Sequence, residues 1–357
     1  MIMVRYALLG YGKVAHLHAQ ALKSVKDAQL VAVWGRNMEK ARQFAQKWKI
    51  KAYTDLDQMV KEAKVDAVVV TTVHPLHMEH TLQALDAGLH VMVEKPMALT
   101  VRQCDLMIEK AEEKHKKLGV ISQRRWYPAC QRIRKAIDSG NLGTPVIGQV
   151  TMLGWRDKAY YDSDPWRGSW ELEGGGVLIN QAPHQLDLLH WYLGEIAEVY
   201  AQWDNFNHPY IEVEDSAVAT VRFKSGAIAS ILVSNSQKPG IYAKVHVHGS
   251  NAFSAGVQTD GGAMFVAGQS TITDPAVNDL WTIEGEQGNL ERWKKEDAKL
   301  FREVDATTYF FTLQLEDFTQ AILEDRDPAS SGYDGRETVK LIEGIYQSGR
   351  TGKPVRY

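Results

Sequence analysis

The chain runs to 357 residues, 44% hydrophobic and 24% charged, with a formal net charge of −3. That length suggests two domains, each able to bury its own core, and the ordinary apolar content excludes a chain that is mainly disordered. The near-neutral charge argues against an electrostatic grip on nucleic acid, no apolar run approaches the ~20 residues of a membrane helix, and two cysteines, Cys104 and Cys130, indicate no disulfide framework. Met1-Ile2-Met3-Val4-Arg5-Tyr6 enters a strand pattern with no charged, apolar and cleavage regions in sequence, so a cytoplasmic location is expected.

Tyr6–Leu9 is predicted as the first strand, ending in Gly10-Tyr11-Gly12-Lys13-Val14-Ala15, with a helix over about Val14–Lys26. Leu30–Trp34, the β-branched run Val65–Val70 and His90–Val93 are predicted strands, and Met38–Trp48 and His77–Ala87 the helices between them. This alternation predicts an α/β, Rossmann-type, doubly wound parallel sheet over residues 1–122. Beyond Gly119 the pattern changes. A helix ends at Asp138, then strands are expected at Val146–Leu153, Val199–Trp203, Ala217–Phe223, Ile228–Ser234 and Ala243–Gly249, joined by turns such as Lys224-Ser225-Gly226. Residues 123–357 therefore read as an α+β domain with a mainly antiparallel open sheet, closed by helices at Tyr309–Leu323 and Arg336–Ser348. The stretch 256–302 gives no clear assignment.

Gly10-Tyr11-Gly12-Lys13-Val14-Ala15 fits G-x-G-x-x-G/A directly after a strand and at the head of a helix. The first glycine permits the turn, the second lets backbone approach a pyrophosphate, and the small sixth residue lets helix and strand pack. An NAD site carries an acid at the end of the second strand; here the chain reads Gly35-Arg36-Asn37. Gly35 removes a clash and Arg36 suits a 2′-phosphate, so NADP is favoured over NAD.

Val91-Met92-Val93-Glu94-Lys95-Pro96 resembles the Gfo/Idh/MocA oxidoreductases, the family of glucose–fructose oxidoreductase and the inositol dehydrogenases. Arg125-Trp126-Tyr127-Pro128, Gly174-Gly175-Gly176 and His184-Gln185-Leu186-Asp187 are similar to family positions along nearly the whole chain. The tract Pro165-Trp166-Arg167-Gly168-Ser169-Trp170 with Asn180-Gln181-Ala182-Pro183-His184 resembles members that act on sugars, glycosides or sugar nucleotides. The resemblance implies cofactor contacts at Thr72, His74, His77, Glu94, Lys95 and Arg125, with Arg125 serving cofactor or substrate. It also implies a homodimer or homotetramer formed through the open sheet.

Hydride transfer from an alcohol needs a base for the hydroxyl proton and a positive group for the developing alkoxide. Lys95 follows a strand at the ligand-binding edge of such a sheet, held by Pro96, and suits the second role. His184, near a helix start between Pro183 and Gly194, suits the first, because imidazole exchanges protons near neutrality. Many family members carry aspartate where this chain has Asn180, and an amide accepts no proton, so Asn180 is expected to position substrate. Asp187 either orients His184 or is structural; His190 is read as structural. Trp166 and Arg167, within the aromatic and arginine-rich Trp155–Trp170 tract, are expected at the substrate wall, although such rings also cover sheets or interfaces.

The expected function is NAD(P)-dependent oxidation or reduction of a secondary alcohol or ketone in a sugar, glycoside, sugar nucleotide or cyclic polyol, with no metal. Two alternatives use the same parts: a redox-neutral glycosidase working by transient ring oxidation, and a non-enzymatic NADP-binding sensor.

Overall fold

The computed structural model describes residues 3–262 and 264–357. Met1 and Ile2, the start of the expected opening strand pattern, lie outside the described residues. In chain order the elements begin with β1 (Val4–Leu9), α1 (Lys13–Leu22), β2 (Ala28–Trp34), α2 (Met38–Trp48), β3 (Lys51–Tyr53), α3 (Leu56–Ala63), β4 (Ala67–Val70), α4 (His77–Asp86), β5 (His90–Val93), α5 (Val101–Glu113) and β6 (Leu118–Val120). They continue with α6 (Pro128–Asp138), β7 (Pro145–Leu153), α7 (Lys158–Asp162), α8 (Val177–Asn180), α9 (Pro183–Leu193), β8 (Ile196–Asp204), β9 (Ser216–Phe223), β10 (Ile228–Ser234), β11 (Tyr242–Gly249), β12 (Ser254–Asp260) and β13 (Val277–Trp281). The last are α10 (Leu290–Glu303), α11 (Ala306–Leu323), α12 (Gly332–Thr351) and β14 (Val355–Arg356).

The chain folds as two compact units. The first holds the residues up to Gln123, together with Val266–Thr271 and Ala306–Arg336. Its six strands run parallel in the order β3-β2-β1-β4-β5-β6. Val68, Val69 and Val70 have no exposure, as a central parallel strand requires. Asn37, Asp55 and Thr100 start α2, α3 and α5 by accepting from the backbone N–H three residues on. α1 ends at Leu22, short of the expected Lys26, and a turn over residues 23–27, with Asp27 at a positive φ of 58°, leads into β2. β3, α3, α5 and β6 were not among the sequence expectations.

The sequence division at 122/123 puts both closing helices in the second domain, and here the structure differs. Phe311, Leu315 and Phe318 of α11 are buried in the core formed by Tyr6, Leu8, Ala15, Ala19 and Leu22, and the Tyr6 hydroxyl shares a 2.9 Å hydrogen bond with Thr319 Oγ1. A helix apolar over so much of its surface needs a partner, and β1 and α1 supply it.

The second unit is an eight-stranded sheet in the order β13-β12-β11-β7-β10-β9-β8-β14, antiparallel except where β7 runs beside β10. Ala217, Ala219, Val221 and Phe223 of β9 are buried while Val218, Thr220 and Arg222 point outward, a period-2 pattern with one covered face. α9 lies on that covered face. A Cβ at Gly148 of β7 would come within 2.8 Å of Leu189 and 2.9 Å of Leu193, so only glycine admits the helix there. The unassigned 256–302 stretch forms most of β12, all of β13 and most of α10, tied down by Asn278 Nδ2 donating to the carbonyls of Ala129 and Gly256 and by an Arg132–Asp297 ion pair. Among the described residues no helix is long and apolar enough to cross a membrane.

Candidate active site

In the first unit the strand order reverses between β1 and β4, the point where such sheets bind ligands at their carboxyl ends. Gly10, just past β1, has φ +113°, and an added Cβ would sit 3.0 Å from the Thr71 carbonyl, so the loop requires glycine. Gly12 caps α1, and a Cβ there would meet nothing within 4 Å. Ala15 is fully buried, and the first turn of α1 carries no acid. Open space over Gly12, beside a helix N-terminus without acids, fits a dinucleotide pyrophosphate, with Tyr11, Lys13 and Val14 around it.

At the ribose end Gly35, expected to remove a clash, borders the Tyr11 ring. Its missing Cβ makes room for the Tyr11 ring, which would otherwise lie 2.1 Å away. Arg36 is exposed, and Asn37 is committed to capping α2. Thr72 Oγ1 shares a 3.0 Å hydrogen bond with His80 Nδ1, and the His80 ring meets Trp34 edge-on. Burial lowers the His80 pKa, with the Arg36 charge adding to the effect. His74 is partly exposed in the short turn before α4, its ring tilted against that of His77.

His77 was expected to touch cofactor; it is instead buried, with Nδ1 2.7 Å from the Pro96 carbonyl and Nε2 3.0 Å from that of Thr72. Both ring nitrogens face backbone carbonyls, and the single N–H of the neutral imidazole donates to one of them, the Pro96 oxygen being the nearer. Burial lowers its pKa, against the raising effect of those two carbonyls. Glu94 is likewise internal. One oxygen lies 2.7 Å from His18 Nε2 and the other accepts the Lys95 N–H at 3.1 Å. Burial raises the Glu94 pKa, but His18, Lys95 and His77 outweigh it and hold the carboxyl below its ordinary value. His18 was missed by the sequence reading; its only signal is a polar residue on the buried face of α1. Lys95 itself is partly exposed, between backbone anchored by Glu94 on one side and by His77 on the other.

In the second unit the Gly174-Gly175-Gly176 segment lies on a bed of Tyr346 and Glu214. Added Cβ atoms at Gly175 and Gly176 would come within 2.0 Å of the Tyr346 hydroxyl and 1.8 Å of the Glu214 carbonyl. The Glu214 carboxylate accepts from the N–H groups of Gly176 and Leu178 and from the Tyr346 hydroxyl. Burial pushes its carboxyl up to about 7, despite those donors. This bed leads into α8, which ends at Asn180, and then into α9, whose first turn carries a partly exposed His184.

Asn180 Nδ2 donates to the buried Glu173 carboxylate and, at 3.2 Å, to the Tyr160 hydroxyl, which also receives Arg167 Nη1 and Gln181 Nε2. The Arg167 guanidinium additionally pairs with Asp164 and lies over the rings of Tyr160 and Trp166. Arg167 is thus held largely by its own tract, where the sequence suggested a group aimed at substrate; Trp166 is its partly exposed lid. Trp170 packs on Trp203 and Tyr346, covering the sheet. Glu173, Glu214 and Tyr346 were also missed, and Glu173 had one signal: a carboxylate directly before the three glycines.

Arg125 was expected at cofactor or substrate. It is 2% exposed and forms a two-point pair with Asp187, at 2.8 and 2.7 Å, while its guanidinium lies over Trp191. Burial raises the Asp187 pKa, but Arg125 and His190 more than reverse this and hold the carboxylate ionised. Asp187 is accordingly a buttress of α9. His190 is buried on Thr338 and Asp187.

Residues 4–122 match the family model described as oxidoreductase family, NAD-binding Rossmann fold, and residues 130–255 match that of the Gfo/Idh/MocA C-terminal domain. A 1,5-anhydro-D-fructose reductase from Ensifer adhaerens is 32% identical over 64% of this chain and 68% of its own. A myo-inositol 2-dehydrogenase from Thermotoga maritima is 29% identical over 69% of this chain and 73% of its own. Among solved structures, the WlbA dehydrogenase of Bordetella pertussis, in complex with NADH and UDP-GlcNAcA, superposes with a TM-score of 0.86 at 27% identity, covering 99% of this chain and 98% of its own.

Proposed function

The chain belongs to the Gfo/Idh/MocA oxidoreductase family, and from that we propose that it moves a hydride between a nicotinamide dinucleotide and a secondary alcohol or ketone of a sugar, glycoside, sugar nucleotide or cyclic polyol. The observation that carries this reading is the double anchoring of the Lys95 backbone, through the Glu94 carboxylate on one side and His77 on Pro96 on the other. A main chain fixed on both sides sets where the Lys95 side chain leaves the carboxyl end of β5, a position from which an ammonium can stabilise a bound alkoxide.

When bound, the nicotinamide supplies the hydride acceptor or donor. Lys95 hydrogen-bonds the reacting oxygen and stabilises its negative charge. His184, as neutral imidazole at a helix start, takes the hydroxyl proton, and returns it in the reverse direction. Asn180 positions a substrate hydroxyl, and Trp166 offers a ring to the apolar face of a sugar. Arg36, the exposed cation that replaces the usual acid after β2, favours NADP over NAD.

Ile147, Ile228, Leu232, Val218 and Tyr200 are all exposed, and the strand register puts them on one face of the second sheet. Such a face favours a homodimer or homotetramer in solution, within a cytoplasmic enzyme.

The test is absorbance of reduced nicotinamide with myo-inositol, methyl glucosides and UDP-sugars, NAD and NADP being supplied separately. Accumulation with one class, faster with NADP, is expected, and Arg36→Glu should lower the NADP-to-NAD preference roughly tenfold. No redox turnover in either direction by a cofactor-binding protein would overturn the reading. Glycoside cleavage without accumulation would instead favour transient ring oxidation.

A further inference from the structure

We infer that His18 is a positioning residue: through the buried Glu94 side chain it holds the backbone of Lys95 in place, and so ties the helix that opens at the glycine loop to the residue that meets the alkoxide. The inference deepens the oxidoreductase reading above and rests on it for the role of Lys95.

A histidine with no exposure in an apolar core needs a reason, because a buried polar group left without a partner costs free energy. His18 lies on the buried face of α1 with Ala15, Ala19 and Leu22, and the Phe311 ring of α11 stands edge-on to it at 4.8 Å. Its Nδ1 has no hydrogen-bond partner among the described residues, so the polar engagement of the ring is at Nε2 alone. That atom is 2.7 Å from Glu94 Oε1. Glu94 is held below the ordinary carboxylate value and is therefore an anion at neutral pH, which accepts only. Nε2 must then carry the hydrogen, whatever the charge of the ring.

The second oxygen of the same carboxylate accepts the Lys95 N–H at 3.1 Å. One group thus joins two hydrogen bonds: α1 holds the carboxylate, and the carboxylate holds the main chain just past β5. Without the imidazole donor, a carboxylate only 6% exposed regains a partner by turning, and turning draws Oε2 from the Lys95 amide. The other groups that bear on Glu94 are His77 of α4 and Lys95 itself, and neither changes in the variants below.

The test is residue-resolved hydrogen–deuterium exchange of the full-length protein, wild type against H18M and H18Q. It is read at the Lys95 amide, with the neighbouring Glu94 amide as reference, because that N–H donates to the Val70 carbonyl at 3.0 Å and not to a side chain. Gln brings a donor nitrogen close to the place of Nε2, whereas Met fills the volume and donates nothing. Exchange at Lys95 relative to Glu94 should rise about tenfold in H18M and stay within about threefold of wild type in H18Q. Equal acceleration of the two amides would mean that His18 merely stabilises the unit, and no acceleration at Lys95 would mean that Glu94 keeps its place unaided; either result overturns the inference. H18N, whose amide stops short of Glu94, takes the place of H18M should that variant fail to fold. The second readout uses the first compound turned over in the panel above. kcat should fall about 10–30-fold in H18M and recover to within about threefold in H18Q, with dinucleotide Kd changed less than about threefold in both. An equal loss of kcat in both variants, or in neither, would sink the positioning role. A panel with no turnover would count against the oxidoreductase reading alone, because exchange at Lys95 still decides whether His18 holds it.

Discussion

The glycine loop of the first unit and the Trp155–Asn180 tract of the second are built on opposite principles. At Gly10 and Gly12 the backbone makes the site, and the sequence requirement is the absence of a side chain. In the second tract side chains make one another's surroundings: Tyr160 gathers Arg167, Asn180 and Gln181 on one oxygen, while Arg156 holds the carbonyls of Met264 and Phe265. A backbone-built site tolerates changes in what flanks it. A side-chain-built one transmits each change to its neighbours, so the same aromatic and arginine composition that suggests a ligand wall also describes a self-supporting scaffold.

Lys95→Met breaks the comparison hardest, because it removes the chemistry and leaves the backbone anchors of Glu94 and His77 in place. kcat should fall by about 10³-fold with cofactor affinity nearly unchanged, measured by steady-state rates and cofactor titration. Next comes Gly12→Val. With φ −73° and open space at Cβ, the fold should accept it within about 1 kcal/mol, while dinucleotide Kd rises about 100-fold or more by fluorescence titration. A comparable loss of melting temperature would show that this loop, too, depends on its packing.

The smallest effect sharpens the other side of the comparison. Glu214 carries a folded-state pKa of about 7 against an ordinary 4.5, so it favours the fold fully below pH 4.5. That contribution declines as pH rises and is gone above about 7, a change of up to about 3 kcal/mol. Denaturant unfolding across this range should show the decline in wild type and a flatter profile in Glu214→Gln. Equal slopes would mean that the bed under the three glycines relaxes when Glu214 ionises.

These cases also explain what was legible in the sequence. The order of β1, α1, β2, α2, β4, α4 and β5 follows from local periodicity, and the phosphate loop from glycines whose constraint lies within a few residues. Glu94, Lys95 and His184 were found as motif members, yet the motif did not reveal that Glu94 and His77 face inward, because their partners His18 and Pro96 lie far off in sequence. Arg125 deceived for the same reason: a lone arginine looks like a ligand group until Asp187, 62 residues on, takes two of its donors. Residues 256–302 resisted assignment because Asn278 and Asp297 bond to α6 and its surroundings, leaving little periodicity of their own.

The return of α11 to the first unit bears on how the protein is made. A ribosome delivers β1 to β6 before any of Phe311, Leu315 or Phe318 exists, and at about 5–20 residues per second the wait for them is roughly 10–40 s. During that interval the buried flanks of β1 and α1 lack the Phe311, Leu315 and Phe318 side chains and present apolar surface to the cell. The first unit therefore closes only after α11 has emerged, although its six strands are complete about 190 residues earlier, and the second unit, which takes in Glu337–Tyr357, closes later still.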